Sequence, residues 1–162
     1  MSTDGLSAYL NDHLAGSVGA RTLIEKAASH NAGTPCGDFL RDLLGEVEDD
    51  IAALEALMDR CGITRNRLKL AAGWVAERVT RLGFDEHLTG SAPLSRLLEL
   101  ESLTLGVTGK VGLWRALREI APDDDRLGDT DFDGLIARAQ GQLEGLERHR
   151  LEAATSALRR DA

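Results

Sequence analysis

Apolar residues recur every three or four positions through four long stretches and one shorter one, and no stretch alternates with period two. The chain is therefore expected to form helices and no strands. The first helix is expected over about residues 6–29, where Leu6, Leu10, Leu14, Ile24 and Ala28 share a face, and it stops where Gly33 and Pro35 punctuate the chain. The second, about 36–60, carries Leu40, Leu43, Val47, Ile51, Leu54 and Met58 and ends before Gly62. A shorter helix is expected over about 65–82, with Leu68, Ala72, Val75 and Val79 on its apolar side. The fourth, about 94–120, is stopped by Pro122. The last, about 132–159, has Asp131 as its cap and Arg159 and Arg160 complementing its C-terminal dipole.

Loop lengths suggest how these helices are arranged. Residues 32–35 and 121–131 are short enough to fold each flanking pair into an antiparallel hairpin. The segment 63–92 is far longer than a helix turn requires. At about 1.5 Å per residue it can carry the chain back along the whole length of a bundle. The expected fold is all-α: one domain over residues 1–162, a four-helix bundle with one long crossover that carries an extra helix.

Composition sharpens the picture in a few places. Valine and isoleucine are scarce while leucine, alanine, glutamate and arginine dominate, which favours helix. Only Lys26, Lys69 and Lys110 are lysines among the 19 basic residues, a bias that suggests a GC-rich bacterial source. A formal charge of −8 would repel a phosphate backbone, so nucleic acid is not an expected partner. No apolar run reaches the ~18 residues that span a bilayer, so no membrane partner is expected. Residues 1–12 lack the basic start and apolar centre of a signal peptide, and the expected location is cytoplasmic. A homodimer and an unspecified small-molecule ligand stay open. Cys36 and Cys61 form no zinc-type pair. Asp123, Asp124 and Asp125 are expected in a solvated loop.

The candidate chemistry lies in the acids. Helix two offers Glu46-Val47-Glu48-Asp49, and the last helix offers Glu144-Gly145-Leu146-Glu147 followed by His149. With two hairpins and a long crossover, the chain resembles the ferritin-like superfamily, in particular its bacterial members of unassigned function. The resemblance covers nearly the whole chain as a helix pattern. It implies a four-helix bundle whose catalytic members hold two metal ions between a Glu on each of two helices and a Glu-x-x-His on each of the others. This sequence contains no Glu-x-x-His. It does place Glu25, Glu46, Glu101 and the Glu147–His149 region at a similar depth if the crossover returns the chain to the top of the bundle.

Glu101 has Leu94, Leu97, Leu98 and Leu105 as helical neighbours, so its carboxylate is expected to be at least partly buried and in need of a partner. Two readings follow. Glu101 pairs with Arg150 or His149 inside the bundle, or Glu25, Glu46, Glu101, Glu147 and His149 hold two iron or manganese ions. Glu46 and Asp50, beside Glu48 and Asp49, read as a solvated acidic patch. His13 reads as a core histidine. Cys36, near a helix start, reads as an inert thiol more readily than an activated one.

Gly106-Val107-Thr108-Gly109-Lys110-Val111 fails as a phosphate-binding loop. Thr104 stands where the first glycine belongs, Val111 replaces the hydroxyl residue, and no strand precedes it. Gly106, Gly109 and Gly112 instead suggest a smooth strip that admits a close helix or leaves room for a ligand; Gly16 with Gly19 and Gly141 with Gly145 suggest close packing elsewhere. The expected function is a non-catalytic structural or binding role, related to stress on the resemblance alone, with no resident cofactor. The alternatives are a carboxylate-bridged dimetal oxidase or iron handler, and a helical adaptor that binds a partner protein.

Overall fold

A computed structural model describes residues 3–66 and 91–159. The expected helix over 65–82 with Trp74, together with His87, falls almost wholly on residues 67–90 and so outside the described residues. The described chain is helical: α1 (Thr3–His30), α2 (Pro35–Arg60), α3 (Ala92–Ile120) and α4 (Phe132–Leu158), with a single 3-10 turn at Ala121–Asp123. No strand occurs among the described residues.

The helix ends follow from local chemistry. Gly33 takes a φ of +77° in the turn after α1, a conformation open to glycine. Thr34 then caps α2, its hydroxyl accepting from the Gly37 amide at 3.1 Å, and Pro35 sits in the first turn, where its missing N–H costs nothing. Gly37 packs so closely on the Asn31 carbonyl that a Cβ would not fit. Gly62, at φ +67°, ends α2. Ser91 caps α3 and Asp131 caps α4, the latter accepting from the Gly134 amide at 2.9 Å.

Helix directions are fixed by contacts between the ends. His30, at the end of α1, lies 3.2 Å from Glu99 near the start of α3. At the opposite end, Arg126 in the α3–α4 loop donates to the Cys61 carbonyl at 3.4 Å, just past the end of α2. So α2 and α3 run the same way, and α1 and α4 run against them. α1 packs on α2 and α3, and α4 packs on α3 and α2, which leaves α2 and α3 facing each other across the diagonal. Asn11 ties the chain leaving α2 to the foot of α1, donating to the Thr64 carbonyl at 3.1 Å and accepting from the Asn66 amide at 2.7 Å.

The core is built mainly of leucine, with Leu10 and Leu14 of α1, Leu40 and Leu57 of α2, and Leu103 and Trp114 of α3 buried. Each such side chain contributes roughly 1.5–3 kcal/mol by leaving water. The loop carries one correction. Asp123 and Asp125 are exposed as expected, but Asp124 is buried and gripped by Arg126 at 2.8 and 2.6 Å. That guanidinium holds the Asp124 carboxyl below the usual carboxylate range.

Candidate functional site: a buried charged layer and an adjoining cavity

The α3 stripe Leu103, Val107, Lys110, Trp114 and Leu117 alternates steps of four and three, which places one lysine in the middle of a buried face. Its side chain is only 9% exposed. From α3 it crosses the diagonal, a distance that suits a four-carbon stem. Its ammonium donates to Asp50 Oδ2 of α2 and to Gln142 Oε1 of α4, each at 2.5 Å. Arg138 of α4 donates to Asp50 Oδ1 through Nε at 2.8 Å and Nη2 at 2.5 Å. Gln142 Nε2 donates to Glu46 Oε2 at 2.9 Å and to Asp50 Oδ2 at 3.2 Å. Two carboxylates and two cations thus balance in one layer. Burial pulls the Lys110 ammonium below its usual range, with nearby Arg138 acting in the same direction; the charge of Asp50 and its hydrogen bond oppose the shift.

Asp50 is therefore no part of a solvated patch. It is the most buried acid of α2 and the node of the network, while Glu46, Glu48 and Asp49 are exposed. In the sequence Lys110 stands out only within the failed phosphate-loop pattern, and Gln142, an isolated polar residue, carries no signal. The four-three spacing around Lys110 was the available clue.

The acids and histidine expected around a metal pair are distributed otherwise. Glu25 is exposed on α1. Glu46 accepts from Gln142. Glu101 is partly buried as expected, but its side chain is 45% exposed and the neighbouring Leu105 63% exposed, so it lies at the edge of the core rather than inside it. Arg150 does reach Glu101, at 3.4 Å, but its shorter bonds go to Glu147 at 2.7 and 2.9 Å. His149 is buried against the Phe39 ring, with centroids 4.8 Å apart, and its Nδ1 lies 3.3 Å from Glu152 outside hydrogen-bond geometry. Among the described residues no three His, Cys, Asp or Glu side chains are placed to hold a metal ion.

The buried acid of α3 is Glu99, two positions from the expected one. It is 1% exposed and pairs with His30, and burial raises its carboxyl above the usual range while the His30 hydrogen bond offsets part of that. Nearby, burial pushes the Cys36 thiol up, which makes it a poor nucleophile.

Between α1 and α3, beside the charged layer, lies a cavity of about 210 Å³. Gly106 and Gly109 form part of its wall, and a Cβ on either would meet nothing within 4 Å. The same holds at Gly112 and Gly141. Of the two expectations for the glycine strip, the close helix contact is overturned and open space is observed. Close packing does occur at Gly145, where a Cβ would run into the Phe39 ring. Because α1 and α3 are antiparallel, Asp12 and His13 sit at the Lys110 end of the cavity, while Ile24 and Leu103 close the other. His13 is half-buried at this wall rather than sealed in the core. Tyr9 packs edge-on to it at 4.6 Å, and burial lowers its pKa against the opposing pull of Asp12.

No family model, curated protein or solved structure matches the chain. None of its described helices is long and apolar enough to cross a membrane.

Proposed function

We propose that this chain is a non-catalytic, ferritin-like four-helix protein of the bacterial cytoplasm with a structural or binding role. The shared direction of α2 and α3 supports the ferritin-like arrangement. The observation that carries the non-catalytic reading is the occupancy of Asp50. Its Oδ1 is taken by Arg138, and its Oδ2 by Lys110 and Gln142. In the buried layer of this bundle the chain fixes an ammonium and a guanidinium of its own. A cation entering there would have to displace both. The layer therefore serves to fix the pairing and register of α2, α3 and α4, the role for which buried ion pairs are best attested.

The test is the thermal midpoint of the purified protein with iron(II), with manganese(II) and with EDTA. The proposal predicts one midpoint under all three conditions. A rise of several degrees with either metal that EDTA abolishes would overturn it, because any ligand that binds only the folded state stabilises by mass action.

A further inference from the structure

The cavity between α1 and α3 has a shape and charge that the ion-pair layer does not explain. Glycine costs about 1 kcal/mol relative to alanine inside a helix. Yet Gly106 and Gly109 stand in α3 with open space where side chains would be. A Cβ at either position would meet no neighbouring atom, so the two glycines leave that stretch of the cavity wall bare of side chains. An apolar cavity of ~150 Å³ holds a benzene molecule. At about 210 Å³, this one has room for a ring and a short side arm.

The wall sets the chemistry. Ile24, Val47, Leu103 and Val107 provide an apolar interior at one end. At the other end Asp12 presents an exposed carboxylate and His13 a half-buried imidazole. Lys110 also lines the cavity, but Asp50 and Gln142 hold its ammonium, and Glu46 and Arg138 complete a layer of zero net charge. Among the described residues the carboxylate of Asp12 is thus the charge left uncompensated at the cavity, on a protein whose formal charge is −8. We propose that this cavity is a binding site for a small primary amine with an apolar body, the ring or chain lying along Val47, Leu103 and Val107 and the ammonium meeting Asp12 beside His13.

The experiment is calorimetric titration at pH 7 with three probes of one shape: 2-phenylethylamine, 2-phenylethanol and phenylacetate. The amine is expected to bind most tightly, the alcohol more weakly and the acid least. Asp12→Asn should weaken the amine about fivefold, the upper range for an exposed ion pair, and leave the alcohol unchanged. Gly106→Leu should abolish binding of all three, and so should Ser17→Leu, which fills the cavity from α1. Both variants should keep the helical circular dichroism and urea transition of the native chain. Failure of all three probes to bind at millimolar concentration would overturn the proposal. So would tighter binding of the acid than of the amine, or binding that both filled variants retain while folded.

Discussion

Removing Asp50 should damage this protein much more than removing the lysine it holds, and removing both should be milder than removing Asp50 alone. In Asp50→Ala the Lys110 ammonium stays nine-tenths buried, with the Gln142 oxygen as its remaining partner in the layer. Breaking one side of a buried pair in this way costs about 3–5 kcal/mol. In Lys110→Met the apolar stem is kept and the charge removed. Asp50 retains both Arg138 donors and Gln142 Nε2, so its carboxylate remains paired. The losses are the lysine's own bonds to Asp50 and to Gln142. The gain is the burial penalty that lowers the lysine's pKa in the native protein. The net cost should be about 1–2 kcal/mol. The double variant removes the stranded ammonium and lets Arg138, a third exposed, turn to water. It should therefore be more stable than Asp50→Ala. Urea unfolding at pH 7, read at constant slope, measures all three. A double variant no more stable than Asp50→Ala would refute the network, as would a Lys110→Met cost equal to that of Asp50→Ala.

The glycines should separate by their surroundings. Gly109→Ala should stabilise by up to about 1 kcal/mol through helix propensity, whereas Gly145→Ala should destabilise, because the Phe39 ring must leave its place against His149; urea midpoints distinguish the two. Glu99 predicts a pH dependence. Burial raises its folded-state pKa above the ordinary 4.5, so the stability linked to it is full below about pH 4.5 and lost as pH rises through the elevated value. Thermal midpoints from pH 4.5 to 7 should therefore shift in favour of Glu99→Gln over the native chain, and a difference that stays flat or moves the other way contradicts the assignment. Cys36, buried and with its thiol pushed up, should resist iodoacetamide at pH 7 until the protein is unfolded in urea, as followed by mass spectrometry.

Most of the helical frame was legible because its stops are covalent. Gly33, Pro35, Gly62 and Pro122 bound the long helices to within a few residues, and Asp131 caps α4 as its position suggested. The site was harder to read because periodicity along one helix does not say which side its neighbours cover. The leucines around Glu101 marked a partly exposed flank, and α1 instead covers Glu99. Asp50 was hidden in an acidic run, since Glu48 and Asp49 face water and only the partners on α3 and α4 explain why their neighbour does not. Lys110 shows the same limit. Its place in a buried stripe is visible in the spacing, but what makes a charge tolerable there is a carboxylate 60 positions away in sequence. The glycine strip admitted two opposite readings, and the position of α1 decided between them.

The interior layer of α2, α3 and α4 is an ion-pair network whose charges balance among the described residues. It is tested most directly by the side-chain nitrogen resonances of lysine, because the chain contains only Lys26, Lys69 and Lys110. The Lys110 ammonium should give a signal protected from exchange that disappears in Lys110→Met and shifts in Asp50→Ala. Added manganese(II), whose unpaired electrons broaden nearby resonances, should leave that signal as sharp as before. Selective loss of the Lys110 signal at low manganese concentration, with Lys26 unaffected, would place the metal in the layer and contradict the account.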